Sequence, residues 1–168
     1  MNNVENLKGK VWLKFFMYFF LLYHSLHVGW SVVLKSSKYA ECGFFLRFGL
    51  ITLAISFCIL GVYAFIALYR RWKNAVYLAR VYLYVVLLVY GIVASWSLIV
   101  ADEEERMFLL PIFACILLII ILWLLYFNYS KLVNKLFPKE EREFNSRDYY
   151  ILAVLIAIPS LSFIISMI

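Results

Sequence analysis

Twelve consecutive apolar or aromatic side chains, ILLIIILWLLYF from Ile116 to Phe127, constrain this chain more than any other feature. A half-buried strand alternates apolar and polar residues, and a surface helix keeps a polar face. This run does neither, so it has no side suited to water. A helix rises about 1.5 Å per residue, and about 20 apolar residues cross a bilayer core. Five stretches reach that length: Phe15–Leu34, Phe48–Tyr69, Val81–Ala101, Met107–Tyr129 and Tyr149–Ile168. In lipid an uninterrupted helix satisfies its own backbone amides, whereas barrel strands would alternate over about ten positions. The expected fold is all-α: one polytopic membrane domain over 1–168, an antiparallel bundle of five transmembrane helices with short loops.

Composition excludes the other classes. Hydrophobic residues make up 66% and charged residues 15%, against roughly half and a quarter in a soluble domain. The excess apolar surface would form sticky patches in water, and a chain this apolar is not disordered. With 6 Gly and 3 Cys, neither a collagen nor a disulfide scaffold fits. The first span exceeds a signal-peptide core, contains two histidines and has no small-x-small cleavage site after it, so it reads as a retained anchor.

Lys and Arg beside the spans set orientation. With the N-terminus inside, twelve of the sixteen fall in the cytoplasm and four outside. The expectation is N-in and C-out, in a bacterial inner membrane. The formal net charge of +6 is then a topology signal that does not argue for nucleic acid. The basic entrance YRRWKN, with Arg70, Arg71 and Lys73, favours anionic headgroups. Lys131 and Lys135, on an amphipathic stretch from Ser130 to Phe137, touch headgroups or dock a partner. Pro138 ends that stretch. ADEEERM (Ala101–Met107) reads as a solvated acidic turn.

Ionisable groups inside a membrane usually point to function. His24 and His27 qualify, three residues apart and expected on one face. Burial favours their neutral forms. Interhelical hydrogen bonding to Ser, Thr or Tyr is the first reading; a proton or substrate path and a metal or haem site follow. A zinc site wants three or four ligands, and with Cys58 and Cys115 alone as further soft ligands in the spans, no metal and no cofactor is expected. Cys42 falls outside the spans, and no CxxC is present. No GxSxG, HExxH, P-loop or dinucleotide motif occurs, so no catalytic residues are assigned.

Small residues four apart let helices approach closely in lipid: Ser25 with Gly29, Gly91 with Ser95, and Ala153 with Ala157. Thr52, Ser56 and Tyr63 share a side of the second span. Pro111 sits near the start of its span, and Pro159 should kink the fifth, with Ser160 and Ser162 near the freed carbonyls.

Two segments carry a family pattern: YRRWKNAVYLARVYLYV (Tyr69–Val85) and LWLLYFNYSKLVNKLFPKEER (Leu122–Arg142), with a lead-in at KVWLKFFMYF (Lys10–Phe19). Together they resemble a family of small bacterial multi-pass membrane proteins known only as a domain of unknown function. That resemblance implies membrane location and a helical fold of about four spans, and it supplies no activity. The leading expectation is a non-enzymatic accessory or interaction subunit working through helix contacts. Its partners would be the bilayer, a second copy or another membrane protein. The alternative is a solute, ion or proton transporter or channel that works as an oligomer.

Overall fold

The computed structural model describes residues 10–35, 44–138, 142–143 and 146–167. Cys42, Lys8, Lys38 and Lys139 lie outside them, as does the side chain of Ser162. Among the described residues six helices follow one another. Helix α1 covers 10–35, α2 Phe44–Tyr69, α3 Ala75–Val100, α4 Glu103–Tyr129, α5 Lys131–Leu136 and α6 Ser146–Met167. There is no strand among the described residues. Four candidate membrane spans, Lys10–Leu34, Arg47–Tyr69, Ala75–Val100 and Glu103–Tyr129, are long and apolar enough to cross a bilayer.

Several ends depart from the sequence reading. Helix α3 begins at Ala75 rather than Val81, because apolar side chains at Ala75, Val76, Leu78 and Ala79 are wholly buried and extend the packing face. ADEEERM is not a turn but the start of α4. Asp102 is its N-cap and accepts from the Glu105 amide at 2.9 Å. Glu103, Glu104 and Glu105 fill the first turn, where carboxylates meet the positive end of the helix dipole. The expected continuation of α4 through Phe137 breaks at Ser130, whose extended backbone starts α5 and whose hydroxyl accepts from the Val133 amide. Helix α6 begins at Ser146, so Asp148 stands in its first turn rather than in a loop.

Helix α2 is the hub, packing on α1, α3 and α6, while α3 also packs on α4. Helices α1 and α4 meet through rings, with the Phe16 centroid 4.7 Å from both Trp123 and Phe127. The core gathers Phe16, Leu21, Leu78, Tyr82, Leu83, Ile120 and Phe127, all essentially inaccessible.

Within α1 the segment Phe16–His24 is a π-helix. Its buried side chains include Met17 and Leu21, followed by Ser25 and Gly29 in the α-helical part, at a constant spacing of four. In an α-helix of 3.6 residues per turn that line would drift around the axis. The wider turn of the π segment keeps it facing α2. The same line explains the close approach of the two helices. A Cβ at Gly61 of α2 would sit 2.7 Å from the Leu21 carbonyl oxygen and 2.5 Å from the Ser25 side chain. Replacing Gly61 with valine is therefore expected to cost about 1–3 kcal/mol of overpacking. Reversible unfolding in detergent micelles, compared with wild type, checks this.

Candidate functional site

Two polar clusters interrupt the apolar interior. The first lies in the middle of the bundle. His24 ends the π segment, and its Nδ1 and Nε2 each lie 2.9 Å from a tyrosine hydroxyl of α3, those of Tyr82 and Tyr90. The Tyr82 hydroxyl donates to the Phe20 carbonyl at 2.9 Å. Its one proton is thereby used, so towards His24 it accepts, and Nδ1 carries the imidazole hydrogen. Nε2 then accepts from Tyr90. The network is a directed chain: Tyr90 hydroxyl to His24, His24 to Tyr82, Tyr82 to a backbone carbonyl of the π segment. The Ser25 hydroxyl attends the neighbouring Leu21 and Leu22 carbonyls, and the Cys58 thiol donates to the Ser25 carbonyl at 3.1 Å. A cavity of about 140 Å³ adjoins His24 and Tyr90, walled by Phe20, Val86 and isoleucines of α4.

His27 does not share this site. It is exposed and stacks on Tyr23, with ring centroids 5.6 Å apart. The expectation of one histidine face fails because three residues turn a helix by about 300°, and inward aim is confined to the narrow line of contact with α3. No group of three or more His, Cys, Asp or Glu side chains suited to a metal forms among the described residues.

The second cluster sits where the α2–α3 turn meets the start of α6. Asp148 is 2% exposed and accepts from the Tyr63 hydroxyl at 2.6 Å and the Asn74 amide at 2.7 Å. Asn74 is the N-cap of α3, yet its side chain makes no capping bond and turns to Asp148 instead. Its Oδ1 is buried with no partner among the described residues. Helix α2 ends in a paired backbone arrangement, Trp72 amide to Ala67 carbonyl and Arg71 amide to Leu68 carbonyl. That pairing requires a left-handed residue at Arg71, which has φ 54° where glycine is usual. Trp72 packs edge-on against Tyr63 at 5.8 Å.

The basic residues named from sequence distribute around this end. Arg70, Arg71, Lys73, Lys131 and Lys135 are all exposed. Lys73 pairs with Glu143 at 3.5 Å, with both side chains mostly in solvent. Two arginines missed from sequence cap helix ends instead. Arg80 donates to the Phe127 carbonyl of α4, and the buried Arg142 donates to Phe137 and Asn134 beside α5. Burial and the Arg80 charge push the Arg142 guanidinium below its ordinary value, and it stays charged.

The small-residue pairs divide into two kinds. Ser25 and Gly29 are buried against α2. Gly91 and Ser95 line an outward groove of about 420 Å³ on α3, and a Cβ at Gly91 would meet nothing within 4 Å. Ala153 and Ala157 are exposed on α6. Pro159 is buried, and the Ser160 hydroxyl donates to the Ile156 carbonyl at 2.8 Å. Thr52 bonds back to Gly49 of its own helix, while Ser56 faces an apolar groove.

No family model matches the chain, and neither does any curated protein or solved structure.

Replacing His24 with phenylalanine removes both tyrosine bonds and should cost ~1–2 kcal/mol, at about 1 kcal/mol per interhelical bond in a membrane. Tyr90→Phe should cost less. The double variant should be no worse than His24→Phe alone, because the partners act as a unit. A double-mutant cycle of unfolding free energies measures the coupling. Arg71→Gly relieves a left-handed conformation worth ~1–2 kcal/mol. Even after glycine's entropic cost it should not lower the melting temperature.

Proposed function

We propose that the chain is a non-enzymatic membrane protein that acts through helix contacts, as an accessory or interaction subunit. It crosses the bilayer five times, with α6 as the last span, N-terminus in the cytoplasm and C-terminus outside. A bacterial inner membrane is the setting this reading implies. The uneven distribution of Lys and Arg supports the orientation, and the 22-residue length of α6 supports the fifth span.

The observation that carries the reading is the outer face of α3. Leu88, Gly91, Ile92, Ser95 and Ile99 form a groove with a glycine at its floor, and among the described residues nothing packs within 4 Å of a Cβ at Gly91. Between helices in lipid no hydrophobic force operates, so close backbone approach at small residues supplies the attraction. The Ser25 and Gly29 pair does this inside the fold; Gly91 and Ser95 offer the same surface to another helix. Permeation is the weaker reading. The centre of the bundle is filled by Phe16, Tyr82, Trp123 and Phe127, and both nitrogens of His24 are engaged internally.

Gly91→Ile is the direct test, because its Cβ meets nothing within 4 Å and its branches fill the groove. Its effect on stability should stay within about 0.5 kcal/mol. Blue-native electrophoresis of mild-detergent extracts should show wild type in an assembly larger than one chain, and the variant as a single chain. An assembly indifferent to Gly91→Ile, or a single chain in both samples, refutes the reading.

A further inference from the structure

We propose that the cleft between the α2–α3 turn and the start of α6 binds a phospholipid. Its phosphate would lie on Arg71 and Arg147, a headgroup donor on Asn74, and one acyl chain in the apolar groove deeper along the same helices.

The polar half rests on three observations. The cleft holds about 440 Å³, and Arg71, Lys73 and Arg147 line it. Arg71 and Arg147 are exposed and form no ion pair among the described residues. Two guanidiniums with free donors are suited to the oxygens of a phosphate. Asn74 lines the same cleft, is only 5% exposed, and has its Oδ1 buried with no partner among the described residues. A buried acceptor without a donor is costly. Its orientation is not arbitrary, because its Nδ2 is held by Asp148 at 2.7 Å. Reversing the amide would set oxygen against the carboxylate. The site therefore lacks two things, an anion and a hydrogen-bond donor beside it. Phosphate esters of ethanolamine or glycerol carry both. A phosphocholine carries the phosphate and no donor.

The apolar half fixes the source of that phosphate as a lipid. A groove of about 280 Å³ runs between α2, α3 and α6 and reaches the C-terminal half of α1 at Val28 and Val32. Leu60, Val81, Leu152, Leu155 and Pro159 are among its walls. Leu60 stands one helical turn from Tyr63 on α2, and Leu152 one turn from Asp148 on α6. The polar cleft and the groove thus lie about one helical turn apart, on either side of the Tyr63–Asp148–Asn74 knot. Charge lies at the basic end of the bundle, and an almost wholly apolar wall lies deeper. A headgroup followed by a chain has that same order of chemistry. The lipid site lies away from the α3 face assigned to a partner helix, and does not depend on it.

Native mass spectrometry of the full-length, delipidated protein in detergent tests the proposal. Phosphatidylethanolamine, phosphatidylglycerol and phosphatidylcholine are titrated separately, with inorganic phosphate as a fourth probe. The first two should bind more tightly than phosphatidylcholine, phosphatidylethanolamine by at least about tenfold, the factor that one charge-assisted hydrogen bond supplies, and phosphatidylglycerol by a few-fold, as a neutral hydrogen bond supplies. The Arg71→Gln/Arg147→Gln variant should lose at least about tenfold for both, with an unchanged melting temperature because both side chains are exposed. Ser56→Phe, which fills the groove, should weaken lipid binding and leave the melting temperature within a few degrees of wild type. Equal binding of the three lipids, or a double variant that binds as wild type does, overturns the proposal. So does inorganic phosphate displacing the lipid, or a Ser56→Phe variant with full lipid affinity, since either would make the site an anion site without a chain.

Discussion

A histidine in the middle of an apolar helix must find partners for both ring nitrogens, and this requirement organises the bundle. His24 meets it with two hydroxyls of α3, one of which donates its own hydrogen bond to a carbonyl of the π segment. The π geometry and the histidine are linked. A turn that is wider than α keeps Met17, Leu21, Ser25 and Gly29 in one line against α2. It also leaves carbonyls at Phe20, Leu21 and Leu22 that Tyr82 and Ser25 serve with hydroxyl donors. Backbone irregularity in lipid is tolerated where protein groups satisfy it, and these two residues do so. Helices α1 and α3 are thereby tied at the centre, while α2 fills the space between them with Phe57, whose ring lies 5.9 Å from His24 and 5.2 Å from Tyr82.

The second constraint acts at the basic end. Asp148 joins α6 to α2 and α3 through Tyr63 and Asn74. A buried carboxylate needs such donors, and breaking the set would leave an uncompensated charge. Asn74 gives up its capping bond to take part, and Arg71 occupies a left-handed position that costs about 1–2 kcal/mol. Two local rules are thus broken within four residues, where a cleft opens whose arginines form no ion pair among the described residues. Departures of this kind gather at functional sites. Away from it, the outward groove at Gly91 is the complementary feature: small, apolar and without internal demand. In the reading proposed above, the first surface serves a lipid and the second a partner helix.

How far the sequence reveals this depends on which forces are local. The spans are legible because apolar length is a local quantity, and Ile116–Phe127 declares itself without context. Helix ends are less so. The carboxylates of Ala101–Met107 look like a solvated turn until the Asp102 side chain is seen on the Glu105 amide. The pattern of Asp followed three residues later by Glu held that signal. The π segment left no trace in composition; only the spacing of four from Met17 to Gly29 hints at it. Tyr82 and Tyr90 are ordinary aromatic residues of an apolar span until α1 is laid beside α3. The Tyr63–Asn74–Asp148 knot joins three separate stretches of chain, so no window of sequence contains it. Asp148 was the available clue, a carboxylate at the very edge of an apolar run, and it passes for loop when α6 is started at Tyr149. His27 shows the reverse error: spacing on a helix wheel groups it with His24, but the contact line with α3 is too narrow to hold both.

The account stands on His24 being a sequestered, internally bonded node. Magic-angle-spinning NMR of the protein in liposomes, with ¹⁵N-labelled histidine and His27→Gln to leave a single ring, reads the two nitrogens directly. The account predicts one neutral tautomer, protonated at Nδ1, with a tyrosine hydroxyl proton close to Nε2 and slow exchange with deuterated water. An imidazolium, the opposite tautomer, or rapid exchange at either nitrogen would contradict it, and would turn His24 from a tie between helices into a group open to solvent or solute.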